Sequence, residues 1–179
     1  MILAVDPDRI EHTVAANGGN RLGEASIRTY VYRTPLSDHP AQRLELRQDG
    51  DAPPILAVKW LDPGTGESIP GPGMVRLVDD FHATHDLLQS IGFVHGQYRE
   101  HHRSSYRLGE GRLDVMTWPL IPAYLEITGP TEDHVTHVAT AAGCDSKSLV
   151  DAAPVNQLYS MYGHDLEVIP DLTFCGRPA

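Results

Sequence analysis

The chain has 179 residues, of which 41% are hydrophobic and 21% are charged, a composition typical of soluble globular domains. Its formal net charge of −10 disfavours general binding to nucleic acids or to anionic membrane surfaces. The two cysteines favour free thiols over a disulfide framework, and no apolar run is long enough to span a membrane. With no signal-peptide pattern at its start, the sequence predicts a single cytoplasmic domain over residues 1–179.

The first half of the chain predicts one helix and four short strands. Asp6-Pro7 is a typical helix start, and Asn17-Gly18-Gly19 is a typical helix end. Alternation of polar and apolar residues, or enrichment in β-branched and aromatic residues, then indicates strands. These predicted strands are residues 27–34, 43–47, 55–60 and 74–78.

The second half predicts three helices and a group of alternating strands. The helices are expected at about 82–91, 131–142 and 152–162, and residues 166–174 are expected to be extended. Residues 103–108, 112–117 and 124–128 alternate with period two, so one face is apolar and the other carries Arg, Asp and Glu. That charged face is either the solvated side of an antiparallel sheet or the interior of a closed barrel. The expected class is α+β, with seven or eight strands and three or four helices.

Arg or Lys recurs on the polar face of several predicted strands. In an acidic protein, such a convergence predicts an anion site, and Arg forks with a Lys point charge suit phosphate. Asp114 and Glu126 lie on neighbouring strands and could hold a hard divalent cation. For any one of these residues alone a solvated strand face is the simpler interpretation, and it is their recurrence on several strands that favours the anion site. The candidate anion-binding residues are Arg47, Lys59, Arg76, Arg103 and Arg112, and Arg43 and Arg107 share the pattern.

Several segments of the chain occur in an order and spacing that match a known family. They are RTYVYRTP at 28–35, LELRQDG at 44–50, LAVKW at 56–60, LLQSIGF at 87–93, RSSY at 103–106, RLDVMTWPLIPAYLEITGP at 112–130, and LYSMYGHDL with LTF near the end. Together they resemble the CYTH family, the class IV adenylyl cyclases and thiamine triphosphatases, which are also called triphosphate tunnel metalloenzymes.

The resemblance implies an antiparallel eight-stranded β-barrel with helices outside and a charged tunnel that binds triphosphate with Mg²⁺ or Mn²⁺. Arg47, Lys59 and Arg103 match basic positions that the family uses on triphosphate oxygens. Asp114 and Glu126 match acidic positions that hold the metal. The implied activity is that of a divalent-metal-dependent triphosphatase or an adenylate cyclase-like lyase, because hydrolysis and ATP cyclisation use the same site with different nucleophiles.

The chain also departs from the family pattern. The family opens with Glu-x-Glu-x-Lys, whereas Met1–Val5 resembles only the end of that strand, so either the true start lies upstream or the motif is missing. Glu45 stands where the family often has Arg, and Thr128 stands where it has a second Glu. Two alternatives therefore stay open: a binding module for an anionic ligand without turnover, or a barrel re-used for other small-molecule chemistry. Apolar outer strand faces are also compatible with a homodimer.

Overall fold

The computed structural model describes residues 1–33, 42–62, 73–166 and 168–174. In this part of the chain, four α-helices and eight strands form an α+β fold, as the sequence predicts. The elements are α1 (Pro7–Ala16), β1 (Asn20–Arg33), β2 (Gln42–Asp49), β3 (Ile55–Trp60), β4 (Met74–Leu77), α2 (Phe81–Ser90), β5 (Val94–Leu108), β6 (Gly111–Thr117), β7 (Tyr124–Thr128), α3 (Glu132–Ala141), a 3₁₀ turn (Ser146–Ser148), α4 (Val155–Met161) and β8 (Asp171–Leu172).

The strands form one largely antiparallel sheet in the order β4-β3-β2-β1-β5-β6-β7. The short strand β8 pairs in parallel with β5, and an isolated bridge joins Ile2 to Leu125 of β7. Within the described residues, no strand pairing joins β4 to β7, so the sheet is not closed there. The eight-stranded antiparallel sheet is thus confirmed, and its closure into a barrel is not.

The chain divides into two compact units, and β1 and β5 each contribute residues to both. Unit 1 comprises Met1–Ala25 and His101–His164, and unit 2 comprises Ser26–Glu100 and Asp165–Ala179. A single domain over all 179 residues stays a prediction.

The core of unit 1 lies between the apolar face of β5–β7 and helices α1 and α3. Leu113 and Leu125 are fully buried there against Val14 of α1 and Val138 of α3. A Cβ atom on Gly111 would lie only 2.5 Å from Val138 Cγ2, so this glycine allows α3 to approach the sheet. The alternation predicted for these strands is confirmed, and their charged residues lie on the opposite face.

The core of unit 2 lies between helix α2 and one face of β1 and β2. Tyr30, Leu46, Phe81 and Leu88 are buried together, and Leu44 packs against them. Since successive strand residues point to opposite faces, this packing places Arg43, Glu45 and Arg47 on the other face of β2.

The boundaries of α1 and α3 agree with the predicted capping signals, whereas α4 begins three residues later than predicted. Asp6 accepts hydrogen bonds from the backbone N–H groups of Asp8 and Arg9, and Pro7 is the first residue of α1. Strands β1 and β5 begin earlier than predicted. The first residues of each strand are mostly polar and do not alternate clearly, so the sequence pattern did not indicate a strand there. In the described part of the predicted extension, residues 166 and 168–174, β8 is the one strand. Among the described residues, no helix has both the length and the apolar character needed to cross a membrane.

Candidate anion-binding site

The charged face of unit 1 is built around an ion pair within β6. Arg112 Nε lies 2.8 Å from Asp114 Oδ2, and Arg112 Nη2 lies 3.0 Å from Asp114 Oδ1. Ser105 stands opposite Asp114 on β5, donates its hydroxyl hydrogen to Oδ1, and accepts a bond from Arg112 Nη2 at 3.1 Å. These bonds fix the plane of the guanidinium and leave both N–H groups of its Nη1 atom without a hydrogen-bond partner in the described part of the chain.

The two carboxyl groups on this face are perturbed in opposite directions. Burial opposes ionisation of Asp114, but the hydrogen bonds from Arg112 and Ser105 and the charge of Arg112 outweigh it and lower its pKa. Glu126 is the cross-strand partner of Asp114, and burial together with the Asp114 charge raises its pKa. The same ion pair raises the pKa of Arg112 further above its ordinary value. Arg112 and Asp114 therefore stay charged at neutral pH.

A cavity of about 240 Å³ opens beside this ion pair, within unit 1. Arg103, Ser105 and Arg112 line one part of it, and residues 22–25 of β1 line the rest. Glu24 is the acidic residue of the lining, and its carboxylate is held by Arg21 on the same strand. The two arginine side chains are thus the cationic groups of the described lining.

The charged face of unit 2 has a different internal arrangement. Glu45 is 6% exposed and lies between Arg43, with Nε 2.8 Å away, and Lys59, with Nζ 2.8 Å away. Burial opposes ionisation of Glu45, but the charges of Arg43 and Lys59 outweigh it and lower its pKa. Arg47 makes a two-point contact with Asp49, at 2.5 Å from Nε and 2.9 Å from Nη2. The basic side chains of this face are thereby engaged by acidic neighbours.

The register of β4 corrects the prediction that Arg76 belongs to the charged face. Arg76 pairs with Leu56, and Leu56 pairs with Leu46, which is buried in the α2 core. Cross-strand partners share a face, so Arg76 lies on the face opposite Arg47 and Lys59. Its side chain is exposed and donates to the carbonyl of the preceding residue. Apolar residues lie on both faces of this short strand, so alternation alone assigned the wrong face.

The predicted divalent-cation site meets only part of its requirements. Asp114 and Glu126 are neighbours, as predicted, but Asp114 is already bound by Arg112 and Ser105. In the described ranges, no group of three or more His, Cys, Asp or Glu side chains could hold a metal ion. Mg²⁺ and Mn²⁺ prefer several oxygen ligands, so the donors present here do not fit such an ion.

Four of the predicted site residues share one face of the unit 1 strands, and the lining of the cavity includes two features that the sequence did not indicate. Arg103, Arg112, Asp114 and Glu126 lie on one face, as alternation predicts. Ser105 is a positioning residue that alternation could have identified, because it shares the face of Arg103. The stretch 22–25 carries no comparable signal, since its lining is mostly small or apolar. The functional roles of all these residues stay predictions.

Comparisons of the fold with solved structures give clear matches. A proposed adenylate cyclase from Vibrio parahaemolyticus aligns with a TM-score of 0.62 at 13% identity, covering 89% of this chain and 94% of that one. A protein from Pyrococcus horikoshii aligns with a TM-score of 0.58 at 16% identity, covering 84% of this chain and 93% of that one. A proposed adenylyl cyclase from Hippeastrum, described as having a dominant triphosphatase activity, aligns with a TM-score of 0.55 at 14% identity, covering 89% and 93%.

No protein-family model and no curated protein sequence matches the chain. The likeness is therefore one of fold, and at this level it confirms the resemblance to the CYTH proteins. Identities of this size do not transfer an activity or a ligand.

Proposed function

We propose that the chain binds a triphosphate, free or carried by a small molecule, at the charged face of unit 1. The observation that carries this proposal is the meeting of Arg103 and Arg112 at one cavity in a chain whose net charge is −10. Ser105 and Asp114 hold the Arg112 guanidinium so that its Nη1 hydrogens are available to phosphate oxygens. The fold likeness to proposed adenylate cyclases supports the same ligand class.

The size and lining of the cavity favour a bare phosphate chain over a whole nucleotide. Its volume of about 240 Å³ lies below the roughly 300–1,000 Å³ typical of sites for drug-sized ligands. Among the described residues that line it, none is aromatic and could stack on a base. We therefore expect inorganic tripolyphosphate to bind more tightly than ATP or thiamine triphosphate.

Calorimetric titration with these three ligands tests the proposal. Arg103→Gln and Arg112→Gln should each weaken tripolyphosphate binding about tenfold or more, because each removes a charge-assisted contact. Arg9→Gln is the matched control: it removes the same charge from the exposed surface of α1, which packs on the opposite face of the sheet. Absence of binding by the wild-type chain, or equal losses in all three variants, would contradict the proposal.

Arg47 and Lys59 stay predicted ligand contacts. Arg47 is held by Asp49 through the same kind of two-point contact as Arg112, and Lys59 pairs with Glu45, but neither Arg47 nor Lys59 is among the residues that line the unit 1 cavity. We therefore expect Arg47→Gln to weaken binding less than Arg112→Gln does. Arg76→Gln should have no effect, because Arg76 lies on the other face of its strand.

Hydrolysis of the bound triphosphate and cyclisation of ATP are the two reactions that the fold likeness suggests. Release of phosphate or formation of cyclic AMP, measured with Mg²⁺ and with Mn²⁺, tests them separately from binding. A binding module without turnover is the second candidate, and it is favoured by the engagement of Asp114 and Glu45 in internal ion pairs. Tight binding with neither product would support the second candidate. The closed barrel, the cytoplasmic location and a homodimer remain predictions of the sequence.

A further inference from the structure

We infer that the unit 1 site binds its anion without a divalent cation, and that the Arg112 guanidinium takes the electrostatic place a metal would have beside Asp114. The inference rests on the triphosphate binding proposed above. It departs from the metal dependence that the sequence resemblance implies, and it follows from the donor set around Asp114.

The carboxylate of Asp114 is already committed to protein donors. It accepts from Arg112 Nε at 2.8 Å on Oδ2, from Arg112 Nη2 at 3.0 Å on Oδ1, and from the Ser105 hydroxyl on Oδ1. A carboxylate offers about four lone-pair positions, so three of them are used by these bonds. A metal ion would have to break the two-point Arg112 contact before it could coordinate both oxygens.

Glu126 alone cannot make up the missing ligands. It stands opposite Asp114 on β7, and the position two residues further along is Thr128, whose side chain is neutral. A hard cation of the Mg²⁺ type needs near-octahedral oxygen coordination, usually with more than one carboxylate or with substrate phosphates. Throughout the ranges the structure describes, metal-ligating side chains do not gather in groups of three or more.

The charges around the cavity act in the same direction. Arg112 and Arg103 both line it, and the nearby carboxylates of Asp114 and Glu24 are already paired with arginines, so the described lining does not attract a dication. The two arginine charges attract a phosphate chain directly, and a planar guanidinium can donate two parallel hydrogen bonds to phosphate oxygens. The protein's own arginines therefore neutralise the negative charge of the phosphate chain, which a bound metal would otherwise do.

This arrangement sets which form of the ligand should bind. Mg²⁺ in solution coordinates the phosphate oxygens that the guanidinium groups need and reduces the charge of the ligand. The site should therefore prefer the uncomplexed polyphosphate, and added Mg²⁺ should compete with the protein for it.

The first experiment is calorimetric titration of the wild-type chain with tripolyphosphate in EDTA and in excess Mg²⁺ at constant ionic strength. We expect binding in EDTA, and an affinity in Mg²⁺ that is unchanged or weaker by up to about tenfold. Binding that requires Mg²⁺, or that tightens about tenfold with it, would overturn the inference and leave the proposed function intact. Absence of binding under both conditions would overturn both.

The second experiment follows Mn²⁺ by electron paramagnetic resonance, with no phosphate ligand present. The wild-type chain should show no bound Mn²⁺ that depends on Asp114, whereas Arg112→Gln releases the Asp114 carboxylate and should bind Mn²⁺ more tightly than the wild type does. Arg9→Gln should behave as the wild type. Mn²⁺ bound to the wild type and lost in Asp114→Asn would overturn the inference. Thermal melting shows whether each variant is folded. The comparison of wild-type binding in EDTA and in Mg²⁺ tests the inference without relying on any variant.

Discussion

The charged faces of the two units contain the same kind of ion pair within a strand, but they differ in the surroundings of their arginines. In both, an arginine and an acidic residue two positions further along one strand form an ion pair: Arg43–Glu45 and Arg47–Asp49 in unit 2, and Arg112–Asp114 in unit 1. In unit 2, Lys59 joins the pairing and Glu45 becomes buried between two cations. In unit 1, the paired Arg112 still presents part of its guanidinium to a cavity that Arg103 also lines.

The comparison shows that the number of basic residues on a sheet face does not measure its capacity to bind an anion. What matters is whether a basic side chain lines a cavity that a ligand can enter. Arg47 and Arg112 are held by the same two-point contact to a carboxylate, but Arg112 lines a cavity together with a second arginine, so unit 1 is the better candidate for an anion site. The following measurements test this difference between the two faces.

The largest expected effect on stability is that of Glu45→Gln. The substitution keeps the volume of the side chain but leaves Arg43 and Lys59, which are cross-strand partners, without the carboxylate between them. Breaking a buried ion pair is strongly destabilising, and the partial exposure of Lys59 moderates the loss to about 2–3 kcal/mol of unfolding free energy. Chemical denaturation at neutral pH measures it. A cost below about 0.5 kcal/mol would show that the carboxylate does not hold this face together.

The stability difference between the wild type and Glu45→Gln should also depend on pH, with a smaller effect whose direction follows from the pKa of Glu45. The pKa of Glu45 is lowered in the fold from its ordinary value of 4.5, so its ionised form stabilises the native state above that pH. The stabilisation is then lost as pH falls through the lower folded-state pKa. The stability difference between wild type and Glu45→Gln should therefore be constant at neutral pH and shrink in acid. A difference that grew on acidification would mean that the pKa shift has the opposite sign.

The smallest expected effect is that of Asp49→Asn. Both side chains of the Arg47–Asp49 pair are about one third exposed, at 33% and 30%, so solvent screens their interaction. We expect a loss of less than about 1 kcal/mol, and a smaller loss at high salt. Denaturation at low and high ionic strength provides the test. A loss as large as that of Glu45→Gln would remove the distinction between the buried and the exposed pair.

Alternation along single strands was enough to predict the faces of unit 1. Leu113 and Val115 enter the core and Arg112 and Asp114 oppose them, because the period of two is fixed by strand geometry. The Arg-x-Asp spacing is also compatible with the Arg112–Asp114 ion pair, since residues two apart on a strand share a face.

The sequence could not predict the face of Arg76 or the availability of each arginine. The face of Arg76 depends on which residue of β3 it pairs with, and β4 is short and apolar on both sides. The availability of Arg112 depends on Ser105, which lies on another strand and is brought to Asp114 by the register of β5 with β6. Both are non-local properties, so no pattern within one strand contains them.

Calorimetric titration of tripolyphosphate into the wild type, Arg112→Gln and Arg47→Gln in EDTA compares the two arginines as contacts of the ligand. The claim is that the Arg112 guanidinium, which lines the unit 1 cavity, binds the anion, and that Arg47, which is not part of that lining, contributes less. The predicted result is a loss of about tenfold or more for Arg112→Gln and a clearly smaller loss for Arg47→Gln. Wild-type affinity in Arg112→Gln, with the larger loss in Arg47→Gln, would contradict it.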